Sequence, residues 1–150
     1  MEEYENNIRK LINDVSNAIG KPILKEQYKI IDRGCPHKHP TTLPKDKMAI
    51  YMFFCEPECF KIGKVFSKSQ ARFTTQHYGF NAKSTLAKSI CNDSNMNISK
   101  DDVSNWMHNN LRRIDVIIDK NLGAFALELI EGILHYYYEP RYEGYKSQRN

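Results

Sequence analysis

At 150 residues, 41% apolar and 27% charged, the chain is long enough for one soluble globular domain with its own core. No apolar run is long enough for a transmembrane helix. The acidic, polar start "MEEYENNIRK" is unlike a signal peptide, so the cytoplasm is the expected location. The net charge is only +4, yet Lys61, Lys64, Lys68, Arg72, Lys83 and Lys88 fall between residues 61 and 90 with no acid among them. A basic face on a near-neutral body points to a polyanion partner.

Residues 3–19 place Ile8, Leu11, Ile12, Val15 and Ile19 at helical spacing, and Gly20 and Pro22 stop the run. Residues 33–47 hold Gly34, Pro36, Pro40 and Pro44 and read as a loop. That loop closes a lead-in over 1–47; a main body over 48–144 and a tail over 145–150 follow. Within it Cys35, His37 and His39 can be drawn with Cys55 and Cys59 as a zinc site. The spacing is poor and no C-x-x-C pair exists, so plain loop residues are the preferred reading.

The segments 48–54 and 59–65 are rich in β-branched and aromatic residues, and "CEPE" between them predicts a hairpin. Helices are expected at 68–77, at 83–91 and over "DDVSNWMHNNL", then a strand at 112–118. The stretch "NLGAFALELIEGILHYYYEP" sets Leu122, Ala126, Leu129, Ile130, Ile133, Leu134 and Tyr137 on one stripe, and Pro140 ends that helix. The order predicts an α+β fold: a small antiparallel sheet of about three strands flanked by helices, with an N-terminal helical extension.

Side chains alternate across a strand. A hairpin centred near Glu56–Pro57 therefore puts Tyr51, Phe53, Lys61 and Gly63 on one face. A lysine beside a tyrosine favours the phenolate and lowers the phenol pKa; the plainer alternative is a half-buried aromatic beside a solvated lysine. Arg72 and His77 follow in the next helix, suited to phosphate contact and proton movement. Glu128 and Glu131 both lie about 180° from the apolar stripe of the last helix, and helical phase alone does not choose between them.

With these residues in place, the sequence resembles the GIY-YIG nuclease superfamily over about residues 48–144. The first motif is "AIY" (Ala49-Ile50-Tyr51), the second "KIG" (Lys61-Ile62-Gly63), and Arg72 stands in "ARFTTQHY". Glu131 matches the acid of the pattern, nine residues before Pro140 and its "PRYEG" text. The text looks most like small stand-alone bacterial members. Lys61 replaces the usual tyrosine, Gln76 holds the usual histidine position with His77 next to it, and Glu143 replaces an asparagine.

The resemblance implies hydrolysis of DNA phosphodiesters with one Mg²⁺ or Mn²⁺ held by Glu131. It implies that Arg72 clamps the scissile phosphate and Tyr51 orients or deprotonates the attacking water. Lys61 would lower the Tyr51 pKa or touch phosphate, His77 would accept or relay a proton, and Gly63 would let the backbone approach. Lys64, Lys68, Lys83 and Lys88 would track the DNA backbone. The alternatives are a catalytically inactive nucleic-acid-binding module on the same fold, or a docking domain using the aromatics of "HYYYEPRY". Those aromatics are expected to cover the sheet instead.

Overall fold

The computed structural model describes residues 2–142. Helix α1 (Glu2–Ala18) precedes strands β1 (Tyr28–Asp32), β2 (Lys47–Cys55) and β3 (Glu58–Val65). Three short helices follow: α2 (Gln70–Thr74), α3 (Leu86–Asn92) and α4 (Val103–Asn110). Strand β4 (Arg112–Asp119) and helix α5 (Ala124–Tyr138) complete the domain. No helix among the described residues is long and apolar enough to cross a membrane.

The fold is α+β as expected, but the antiparallel sheet has four strands, in the order β1-β4-β2-β3. The added strand is β1, which pairs with β4 from Tyr28↔Ile118 to Asp32↔Ile114. Its five residues alternate only briefly between core and solvent, too short a pattern to stand out beside the long β2. The lead-in thus supplies an edge strand, and Ile8 and Ile12 of α1 are wholly buried in the same core. Residues 143 and 144 of the expected body, Glu143 among them, and the 145–150 tail lie outside the described residues.

Helices cover both faces of the sheet. This explains why "MAIYMFF" is apolar without alternation: every inner residue of β2 is buried. Even-numbered residues Met48, Ile50, Met52, Ile114, Val116 and Ile118 face α1 and α5. Odd-numbered Ala49, Tyr51, Phe53 and Ile117 face α2, α3 and α4.

The buried stripe of α5 is Leu127, Ile130 and Leu134, rotated from the expected one. Leu129 and Ile133 are only half-buried, and Tyr136 and Tyr137 are exposed. Of the "HYYYEPRY" aromatics, Tyr138 packs on Phe54 and Tyr4 and Tyr142 packs on Phe60, so these two meet the expectation of covering the sheet. The rotation has a consequence for the site. Glu131 flanks the buried stripe instead of opposing it, and its side chain is only 18% exposed.

Candidate active site

The site straddles the outer edge of β3. Near the start of that strand, the backbone N–H groups of Arg141 and Tyr142 donate to the carbonyls of Cys59 and Phe60. Beyond them a cleft of about 230 Å³ opens, lined by Lys64, Val65, Phe66, Ser69, Arg72 and Glu131. Arg72 arrives from the α2 layer and Glu131 from the α5 layer.

Tyr51 lies on β2, one strand in from the edge, and pairs with Gly63 of β3. Its ring crosses Gly63 to reach the edge: a Cβ on Gly63 would stand 2.3 Å from the Tyr51 hydroxyl oxygen. Only glycine leaves that passage open. Lys61 pairs with Phe53, which makes it the diagonal neighbour of Tyr51 on the expected face.

The hydrogen bonds at Tyr51 fix its chemistry. The backbone N–H of Leu86, at the start of α3, donates to His77 Nδ1 at 3.1 Å. Nδ1 therefore carries a lone pair, and the proton of the neutral ring sits on Nε2. His77 Nε2 then donates to the Tyr51 hydroxyl at 2.7 Å, and Arg72 Nε donates to the same oxygen at 3.3 Å. Both lone pairs of Tyr51 Oη are taken, leaving the hydroxyl its own proton to give.

Burial is the largest influence on these groups. It raises the Tyr51 pKa, against the lowering effects of the Arg72 hydrogen bond and the Arg72 and Arg113 charges. The expectation of a lowered Tyr51 pKa is therefore corrected: the desolvated ring outweighs the nearby cations. Burial, with the positive charges of Lys61, Arg72 and Arg113, brings His77 down to about 3. His77 is thus a neutral donor whose second nitrogen is already engaged, an arrangement unlike a resting proton acceptor. The Arg72 pKa is raised, first by its hydrogen bond to Tyr51.

On the other side of the edge, Lys64 Nζ donates to Glu131 Oε1 at 2.9 Å, with the two side chains 30% and 18% exposed. Glu128, one turn back on α5, is exposed. The structure therefore distinguishes the two carboxylates that helical phase left equal. Lys64 is drawn into the cleft. Lys88 Nζ is spent on the Ala82 carbonyl. Lys68 and Lys83 remain on the exposed surface.

Three further residues support the site without having been singled out in the sequence. Arg113 is 1% exposed and donates to the Phe73 carbonyl at 2.6 Å, to the Tyr78 hydroxyl at 3.1 Å and to Asp115 at 2.9 Å. It ties β4 to the backbone of α2 beside Arg72. Asp115, wholly buried, pairs across strands with Tyr51 and also accepts from Arg33. His135 Nε2 donates to the Ile62 carbonyl at 3.0 Å and so anchors α5, one turn after Glu131, to β3. Its position four residues after Glu131 was a readable signal; the buried roles of Arg113 and Asp115 had none, because a strand reading "RRID" looks solvent-facing.

The loop histidines serve packing. His37 Nδ1 donates to the Leu111 carbonyl at 2.6 Å and Nε2 accepts from Tyr78 at 2.7 Å. His39 Nδ1 lies 2.9 Å from His108 Nε2. Among the described residues no group of three or more His, Cys, Asp or Glu is arranged to hold a metal. No known protein family, curated protein or solved structure matches the chain.

Proposed function

We propose that the chain is a divalent-metal-dependent endonuclease of the GIY-YIG type that hydrolyses DNA phosphodiester bonds. The observation that carries this reading is a hydrogen-bonded chain from buried His77 through buried Tyr51 to Arg72, which lines a cleft at the strand edge together with Glu131. These residues come from four separate elements, and their order is that of the resembled motifs.

Arg72 keeps its terminal nitrogens for a phosphate while its Nε holds Tyr51. Tyr51, with both lone pairs engaged, orients a water by donating its hydroxyl proton. If it ionises, the His77 and Arg72 N–H groups hold the phenolate, which then takes the proton of the attacking water. Lys61, whose charge is felt at His77, adds positive potential on the histidine side of the site. Glu131 is the one carboxylate among the described residues that line the cleft. A single carboxylate fits Mg²⁺ or Mn²⁺, which completes its shell with water and phosphate oxygens. Held there by Glu131, such an ion would supply charge neutralisation to the phosphoryl and leaving oxygens. Lys68 and Lys83 extend the basic surface along the DNA. The cytoplasm is the location that suits such an enzyme.

The test is plasmid nicking and cleavage of single-stranded, duplex and branched DNA with Mg²⁺ or Mn²⁺, each against EDTA. Metal-dependent strand breaks support the reading. Silence of pure protein on every substrate with both metals overturns it, and DNA binding without turnover leaves only a binding module.

A further inference from the structure

Lys64 sits where a nuclease of this type needs its carboxylate clear. Its ammonium is 2.9 Å from Glu131 Oε1, and the pair lines the same small cleft as Arg72. The pair is half-shielded from solvent, so it is screened less than a surface pair. Charge at Glu131 is also felt at Arg72 and Tyr51. Whatever pairs with this carboxylate therefore alters the charge felt at Arg72 and Tyr51.

We propose that Lys64 is the resident counter-cation of Glu131, and that it trades this carboxylate for a DNA phosphate when substrate enters the cleft. The inference rests on the nuclease reading above. Lys64 Nζ and a divalent cation are alternative partners for one carboxylate, since an ammonium is a compact cation with no acceptor of its own. In the absence of DNA, Lys64 keeps Glu131 neutralised and opposes cation loading. A phosphodiester on Arg72 offers Lys64 a second anion, and its flexible four-carbon stem allows it to turn from one to the other. Glu131 is released at the moment a phosphate is present. DNA and divalent cation then favour each other's binding, and by linkage the effect is reciprocal. Lys64 thus contacts the carboxylate and the substrate in turn, unlike the exposed Lys68 and Lys83.

The test measures Mn²⁺ binding to the full chain by electron paramagnetic resonance, with and without a short duplex oligonucleotide. Wild type is expected to bind Mn²⁺ weakly alone and more tightly with DNA. Lys64→Met is expected to bind Mn²⁺ alone about tenfold more tightly, the order of a half-buried ion pair that no longer competes. Its DNA-dependent gain is expected to shrink, while Lys64→Arg keeps the wild-type pattern. Adding Glu131→Gln to Lys64→Met should abolish the Mn²⁺ site. If Lys64→Met, shown by its unfolding transition to be as folded as wild type, binds Mn²⁺ no more tightly than wild type, the proposal falls. Wild type with DNA separates the two readings. Mn²⁺ bound there through Glu131 spares the nuclease reading, and its absence there removes both.

Discussion

His77 Nε2 donates to the Tyr51 hydroxyl oxygen across 2.7 Å, because the Leu86 N–H already occupies the opposite nitrogen of the ring. Tyr51 is therefore served by its histidine as an acceptor and is left with a proton to offer. Tyr51→Phe keeps the packing and removes that proton and the phenolate. It should lower the single-turnover cleavage rate roughly 10²–10³-fold, as loss of a preorganised polar group does. It also leaves the buried His77 Nε2–H without its acceptor, so a stability loss of about 1–3 kcal/mol should accompany it in denaturant unfolding. A phenylalanine variant with full activity removes Tyr51 from the chemistry.

Gly63→Ala is the steric counterpart. The added methyl would lie 2.3 Å from the Tyr51 hydroxyl, so the ring or β3 must move. We expect activity to fall as far as in Tyr51→Phe, with a stability loss of roughly 1–3 kcal/mol from overpacking. Denaturant unfolding and the cleavage rate of the same preparation check both parts.

The basic residues should divide by location. Arg72 touches Tyr51 and lines the cleft, whereas Lys68 and Lys83 are surface groups. Arg72→Ala should lower kcat with a near-normal salt dependence of binding. A Lys68→Ala/Lys83→Ala double variant should weaken DNA binding and reduce the salt slope by about 1 for each phosphate no longer neutralised. Its saturated turnover should survive. An Arg72→Ala enzyme that binds poorly yet turns over normally at saturation makes the stretch a mere basic surface.

Glu131 and Glu128 provide an internal control on one helix. Glu131→Ala should abolish cleavage and leave DNA binding largely intact. Glu128→Ala, on the exposed side, should change neither. Reversal of the two phenotypes would overturn the assignment of the carboxylate.

Acid should destabilise the fold through its buried histidines. His77 is held down to about 3 from an ordinary 6.5, so between those values the unfolded chain binds a proton that the folded chain refuses. Its contribution is fully present above 6.5 and is lost as pH falls toward 3, at up to about 1.4 kcal/mol per pH unit. His37, lowered to about 4 by burial, acts in the same direction. Denaturant unfolding from about pH 7 to about pH 4.5 should show this slope, and His77→Gln should flatten it. An unchanged slope in His77→Gln would place the acid sensitivity elsewhere.

The hairpin was legible because two runs rich in β-branched and aromatic residues flank "CEPE": Glu56 and Pro57 do separate β2 from β3, and Tyr51 does face Gly63. The α5 stripe was misplaced by about one residue, since the outer face of that helix is itself apolar at Phe125 and Tyr136. Periodicity cannot tell a buried stripe from an exposed one when both are greasy. That error turned Glu131 away from the cleft, and the spacing to Pro140, not helical phase, singled it out. Lys64 and Lys88 were expected along the DNA backbone, because a sequence gives no account of which carboxylate or carbonyl will stand beside an ammonium. Arg113 and Asp115 were overlooked for a related reason: a buried ion pair looks like surface until the helix above it is in place.

Strand β1 shields β4, the central strand that carries Arg113 and Asp115. A shortened chain beginning at residue 48 would still hold Tyr51, Arg72 and Glu131. It would also expose the β4 backbone as a bare row of donors and acceptors, uncover Ile114, Val116 and Ile118 where α1 packs, and remove Arg33 from Asp115. Such an edge recruits other chains. A fragment meant to stay monodisperse should therefore keep the lead-in, and size-exclusion chromatography of the shortened chain checks this.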